Sequence, residues 1–199
     1  MSFDVKTVSV LSGLTVFQLK NWASQGVFEP ENGDYGYSFR DIVAARMLAF
    51  LRTTLSAQKV KEAVRSLSKL NFNDHLSTYT LGHDGKIVLL KDKDGQIIEI
   101  GKTAGQYRAF TLQEIWKPFK NFKNEQVPSL ERPREELRIV EGRLGGWPTV
   151  GESRIGFDVI ANMIDGKSIT PENISHFYPG VTPKAARDAL DFMQAVQAA

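Results

Sequence analysis

The sequence predicts an α+β, mostly helical protein, and three observations carry the prediction. Two short segments near the N-terminus bear helix caps and are separated by Gly13, a central stretch is rich in strand formers broken by Asp-Gly pairs, and capped helical segments return after Pro148. These divide the chain into a helical head over residues 1–72, a strand-rich middle over 73–126 with one helix and either a structural or a dimerising role, a linker over 127–134, and a C-terminal three-helix unit over 135–199.

In the head, Thr7 is the expected cap of a first helix over residues 8–12, with Val8 and Leu11 inward and Gly13 at a tight turn. Thr15 and Gln18 stand in the capping-box relation, so a second helix starts at Val16 and stops at Gly26, where a left-handed residue is tolerated. Leu19 and Trp22 recur at helical spacing and face inward. The opposite face then carries Phe17, Gln18, Lys20, Asn21 and Ser24, side chains that contact bases and phosphates. Two short helices joined through a glycine turn form a helix-turn-helix, whose second helix enters the DNA major groove. A plain helical hairpin packed on its neighbours accounts equally well for this stretch taken alone.

The residues that follow favour the DNA reading. Residues 30–37, with Asn32-Gly33, Asp34 and Gly36, form a turn-rich segment of hairpin type. Ser38, with Asp41 as its box partner, opens a longer helix over residues 39–53, and Ser56 caps another whose Val60, Val64, Leu67 and Leu70 make an apolar stripe. Helix, turn, helix, wing and two further helices make a winged arrangement.

Over this first third the chain resembles the MerR family of winged helix-turn-helix regulators. The resemblance is carried by Val8 and Gly13, by Thr15, Leu19 and Trp22, by Gly26-Val27 and Pro30, and by Tyr37-Ser38-Phe39-Arg40-Asp41-Ile42. It implies that Phe17, Gln18 and Lys20 face DNA and that Tyr37 and Arg40 on the wing lie close to the phosphate backbone. With Thr15 and Asn21, these form the candidate DNA-binding set. Two departures stand out: no sustained heptad for a dimerising helix follows Leu70, and the chain has no cysteine, which excludes thiol sensing and thiolate metal sites.

In the middle region, residues 77–81, 87–90 and 97–100 are strand-like and are separated by Asp84-Gly85 and Asp94-Gly95, so a small antiparallel sheet is expected. Gly95 to Thr103 mimics a phosphate loop but has five residues between its glycines instead of four, and Asp92 with Asp94 lacks the spacing of a calcium loop. Thr111 with Glu114 boxes a short helix that Pro118 ends. Residues 116–123 then interleave aromatic and basic side chains; a docking segment with aromatics inward and lysines solvated is preferred over a nucleic-acid contact. Prolines 128 and 133 with mixed charges mark the linker.

In the C-terminal unit, a helix over residues 157–165 stops at Gly166, while Thr170-Pro171 and Thr182-Pro183 each combine an N-cap with proline at the first helical position. Gly145-Gly146-Trp147-Pro148-Thr149-Val150-Gly151-Glu152-Ser153-Arg154-Ile155, followed by Ile174 and Phe177-Tyr178-Pro179-Gly180-Val181-Thr182-Pro183, resembles a small domain found in VapB-like antitoxins. Together with the MerR-like head and Gly105-Gln106-Tyr107 in the middle, nearly the whole chain is similar to one VapB-like subfamily. The resemblance implies a bacterial antitoxin that represses its own operon and neutralises a toxin, typically a PIN-like nuclease. Trp147, Arg154, Phe177 and Tyr178 are the candidate toxin-facing residues, although Phe177 and Tyr178 serve as well to close the unit's own core.

Composition narrows the alternatives. The formal charge is +2, and the basic excess sits in the head, where residues 1–70 carry nine Lys or Arg against six Asp or Glu. No long apolar run or leader is visible, so a cytoplasmic protein is expected. His75, His83 and His176 are scattered and no nucleophile-base pattern stands out, so neither an enzyme nor a metal or cofactor is expected. The competing reading is a stand-alone MerR-like regulator whose C-terminal part dimerises or binds a small ligand.

Overall fold

The computed structural model describes residues 2–33, 36–69, 74–83, 88–91, 97–100, 108–109 and 112–199. The fold is α+β and mostly helical, with seven α-helices among the described residues and small antiparallel sheets between them.

Helix α1 (Val5–Ser12) starts three residues before its expected position. Its cap is Asp4, whose Oδ1 accepts from the amides of Lys6 and Thr7. Thr7, expected as the cap, lies inside the helix, buried, and its hydroxyl donates to the other Asp4 oxygen. One carboxylate thereby satisfies two orphan amides and a hydroxyl, more than a threonine oxygen can accept. Helix α2 (Val16–Ser24) keeps its expected start, with both halves of the Thr15–Gln18 capping box formed.

The wing differs in detail from a hairpin closed on itself. Tyr37 pairs with Phe3 through two backbone bonds of 2.9 and 2.8 Å, so the far end of the turn segment is pinned to the N-terminus. Asp34 of this segment lies outside the described residues.

Helix α3 (Phe39–Leu51), opened by the Ser38–Asp41 box, is buried on nearly every side and forms the axis of the molecule. A helix apolar all round belongs in a core. It buries two charged side chains, Asp41 in its first turn and Arg46 at its middle, and neither has exposed surface. The Arg46 guanidinium donates to the carbonyls of Leu11, Ile115, Lys117 and Pro128 and lies 5.0 Å from the centre of the Phe119 ring. Burial pushes its pKa down to about 9, which leaves it protonated at neutral pH. Helix α4 (Ala57–Lys69) buries Val60, Val64 and Leu67 as its stripe requires; Leu70 is outside the described residues.

In the middle, strands β1 (Thr80–His83), β2 (Val88–Lys91), β3 (Ile97–Ile100) and β4 (Arg108–Ala109) form an antiparallel sheet in the order β3-β2-β1-β4. The first strand starts later than expected because residues Leu76–Thr78 make a 3-10 turn, capped by His75 Nδ1 on the Ser77 amide. The two Asp-Gly turns, Gly105-Gln106-Tyr107 and the Thr111 cap fall outside the described residues, as do both ends of the near phosphate loop, whose residues Ile97–Ile100 are strand β3. Helix α5 (Leu112–Trp116) leads into a hairpin of β5 (Phe119–Lys120) and β6 (Gln126–Val127).

Residues 127–134, expected as a linker, are packed against the head. Val127 and Leu130 are buried, the Leu130 amide donates to Trp116, and Arg46 binds the Pro128 carbonyl. Pro128 ends β6 without freeing the chain, because the backbone here finds interior partners.

The C-terminal unit contains two α-helices, α6 (Phe157–Met163) and α7 (Pro183–Ala198), where three were expected. Asn173 Oδ1 accepts the Thr170 amide, and the chain turns into a 3-10 segment at Ile174–His176 in place of an α-helix. Helix α6 ends early because Asp165 Oδ1 gathers the amides of residues 167 to 169, each at 2.8 Å. A strand pair, β7 (Leu137–Arg138) with β8 (Thr149–Val150), completes the unit. Helix α7 packs on α6, with Phe157 and Phe192 edge to face at 4.8 Å, and also on α1, where Lys6 Nζ reaches the Gln197 carbonyl at 2.7 Å. Head and tail therefore share one apolar core. Among the described residues no helix is long and apolar enough to cross a membrane.

Candidate nucleic-acid interface

The candidate interface is built on a rigid turn. Gly13 has φ +84°, and a side chain there would meet Val127 Cγ2 at 2.5 Å, so glycine is required twice over. Ser12 Oγ accepts the Leu14 amide and Ser9 Oγ donates to the Leu14 carbonyl, while Leu14 itself is buried. The angle between α1 and α2 is held by hydrogen bonds and packing on both sides of the turn.

Helix α2 buries Leu19 and Trp22 and presents Phe17, Lys20, Asn21 and Ser24 on the other side. Their spacing of three, four and seven residues puts them in one stripe. Phe17 is 76% exposed, an unusual position for a phenylalanine in the absence of a partner. Lys20 is exposed and has no ion pair among the described residues. Asn21 Oδ1 accepts from Gln25, and Lys61 Nζ of α4 binds Gln25 Oε1 at 2.8 Å, which places a further cation at the end of the stripe. Lys61 is invisible in the local sequence because only tertiary packing brings α4 beside α2.

Thr15 and Gln18 sit at the N-terminal end of the stripe, half-buried, with their oxygens committed to the cap. Gln18 Oε1 accepts the Thr15 amide at 2.9 Å, so a bidentate adenine contact, which needs both amide atoms, would break the capping box. These two residues orient the helix, Phe17 and Lys20 are its accessible reading groups, and Asn21 stands beside them half-buried with its Oδ1 already accepting from Gln25.

On the wing the two expected residues part company. Arg40 is exposed and held by Glu31 Oε1 at 2.8 Å and Ser77 Oγ at 3.3 Å. Tyr37, expected at the phosphate backbone, is buried with its ring 6.3 Å from that of Phe28, and burial followed by the nearby Asp41 charge pushes its pKa up. The wing is anchored through this tyrosine, so its ring supports the turn from beneath. A cleft of about 570 Å3 runs between Lys20, the N-terminal residues and the wing.

Beneath the wing, Glu31, Asp41 and His75 bring three potential ligand atoms within 4.8 Å of one another. Buried Asp41 accepts from the Ser38 amide at 2.7 Å, the Glu31 amide at 3.1 Å and His75 Nε2 at 3.0 Å. Glu31 is taken by Ser38 and Arg40. With these atoms already hydrogen-bonded, the cluster ties the wing to α3.

The four candidate toxin-facing residues also separate. Trp147 is packed between Phe3 and Phe157, at 5.1 and 5.7 Å, and its indole N–H donates to Asp158. It joins head to tail and offers little surface. Arg154 is exposed between β8 and α6, Phe177 is 48% exposed after the 3-10 turn, and Tyr178 is half-buried against the core.

No protein-family model and no curated protein matches this sequence. Among solved structures, the X-ray crystal structure of Rv2018 from Mycobacterium tuberculosis is similar over 95% of this chain and 96% of that one, with 17% identity and a TM-score of 0.55. That likeness is one of fold, and it spans head, middle and tail together.

Proposed function

We propose that this chain is a DNA-binding antitoxin of a type II toxin-antitoxin module, which represses its own operon and neutralises a PIN-like nuclease toxin in the cytoplasm. The observation that carries the DNA half is the stripe of Phe17, Lys20 and Asn21 on a capped helix behind a locked glycine turn. An exposed aromatic suits the thymine methyl, and an exposed lysine suits phosphate or guanine. A homodimer would set two such helices on half-sites about one helical turn apart. The toxin half rests on the sequence resemblance of the tail, with Arg154 and Phe177 as its accessible residues.

The experiment has two arms. Full-length protein is used to select 30-base-pair duplexes from a randomised pool, and the protein is purified from its native cell with whatever it holds. A palindromic selected site and a co-purifying nuclease are expected. No enrichment over successive rounds would overturn the DNA half.

A stand-alone regulator is the second reading. It is favoured by the packing of the tail into the head through Phe3, Trp147 and α7, which gives residues 135–199 a structural role in the absence of any toxin. Absence of a co-purifying nuclease, together with a selected site, would establish it over the antitoxin.

A further inference from the structure

The β5–β6 hairpin stands beside the helix-turn-helix, and its geometry is set by one buried side chain. Asn121 uses all four of its hydrogen-bonding sites. Its Oδ1 accepts the amides of Lys123 and Glu125, and its Nδ2 donates to Glu125 Oε2 and, at 3.2 Å, to the carbonyl of Gly13. The first three bonds shape the hairpin tip, and the fourth fixes that tip to the turn that orients α2. Val127 of β6 fills the space under Gly13. The aromatic residues of the segment are turned inward, Phe119 against Phe50 at 5.2 Å and Phe122 under the Arg52 guanidinium at 4.6 Å.

Lys117, Lys120 and Lys123 are left exposed, with no ion pair among the described residues. Lys123 lines the same cleft of about 700 Å3 as Thr15, Val16 and Phe17 at the start of α2. Lys120 stands across the hairpin from Gln126, which lines the same cleft. The acidic residue on its wall, Glu125, is bonded to Asn121. A helix seated in the groove would thus bring this hairpin alongside the flanking phosphates, on the side of α2 where its N-terminal turn lies.

We propose that the β5–β6 hairpin is a second phosphate-binding arm, which places Lys120 and Lys123 on the DNA backbone next to the recognition helix. The inference rests on the DNA-binding reading above and adds a contact that the wing does not supply. The arm holds register and adds affinity without reading sequence, as lysines on phosphates do.

The test compares wild type, Lys120→Gln/Lys123→Gln and Lys120→Arg/Lys123→Arg by fluorescence anisotropy on two probes, a selected 30-base-pair duplex and a random-sequence one, across a salt series. The glutamine pair is expected to lower affinity roughly tenfold on both probes and to flatten the dependence of log K on log salt by about 2, because each lost phosphate contact removes about 0.9. The arginine pair should keep the wild-type slope, and unchanged melting temperatures should show that both variants fold. Unchanged affinity and slope in the glutamine pair, with wild type still binding, would overturn the arm alone. A loss confined to the selected duplex would overturn its backbone role. Failure of wild type to bind either probe would overturn the DNA reading and the arm together.

Discussion

The ring of Phe3 lies 5.1 Å from the indole of Trp147, and this contact joins the two ends of the chain. Phe3 also pairs with Tyr37 through its backbone, so the wing, the N-terminus and the tail meet at one residue. Gly146, next to Trp147, is pressed on the ring of Phe39 so closely that a Cβ there would lie 2.5 Å away. Sequence divides the protein at residue 134; the packing across these contacts does not.

Trp147→Ala is therefore expected to destabilise the whole chain by about 3 kcal/mol, the scale for deleting a large aromatic from a packed site. The loss should lower one cooperative transition, with tryptophan fluorescence and far-ultraviolet circular dichroism coincident in urea. Separate transitions for the two probes, with only one shifted, would show that the tail folds on its own. By the same argument, a chain ending at 134 exposes the α1 surface that α7 covers. It should lose stability, and with it the DNA binding that a modular head would retain.

Substitutions on the DNA face should separate the reading groups from their supports. Lys20→Ala is expected to weaken binding to all duplexes and to lower the salt slope by about 1. Phe17→Ala should act mainly on the selected duplex, with folding stability changed by less than about 0.5 kcal/mol because the ring is exposed. Arg40→Ala should cost less than Lys20→Ala, since Glu31 already competes for that guanidinium. Tyr37→Phe should leave DNA affinity unchanged, because the ring is interior. Anisotropy titrations at fixed salt check all four, and a large loss in Tyr37→Phe would return that hydroxyl to the interface.

Acid should loosen the wing through Asp41. Burial opposes its charge, but hydrogen bonds from His75 and from the backbone at Ser38 and Glu31 outweigh burial, and the pKa falls below 3.8. In the unfolded chain the carboxyl binds its proton at higher pH than in the folded one, so stability rises with pH between the two values. The contribution of Asp41 is complete above pH 3.8 and disappears below its folded pKa. Urea midpoints of wild type and Asp41→Asn are expected to differ at pH 7 and to converge as pH falls below 3.8. A gap that shows no decline as the pH is lowered past 3.8 would mean that the substitution acts through shape alone.

What was legible in the sequence was local. The Thr15–Gln18 and Ser38–Asp41 boxes and the Thr182 cap join residues three apart, and a reader of the sequence needs no tertiary information to find them. Asp4 and Thr7 show the limit of that reading: both are cap residues, and the carboxylate won by taking two amides. Arg46 looks misplaced in an apolar helix because its partners lie 35 to 82 positions away. The same distance hid Asn121 on Gly13, the pinning of Tyr37 to Phe3 and the packing of Trp147 on Phe3. For the candidate site this means that the helix and its exposed stripe were readable, whereas the clamp behind the turn and the hairpin beside it were not.

That clamp gives a direct test of how the turn is held. Gly13→Ala imposes two separate penalties, a left-handed backbone for a residue with a Cβ, about 1–2 kcal/mol, and a clash with Val127 that overpacking studies place at about 1–3 kcal/mol. Val127→Ala removes the clashing methyl groups and leaves the backbone penalty in place, at the cost of its own cavity. The double variant Gly13→Ala/Val127→Ala is therefore expected to be more stable than the sum of the single losses predicts, by about 1 kcal/mol or more, in a urea double-mutant cycle. Simple additivity would mean that Val127 does not press on the turn. Coupling in stability should be matched in DNA affinity at a temperature where all variants are folded, because Val127 and Asn121 hold from behind the same turn that aims Phe17 and Lys20 outward.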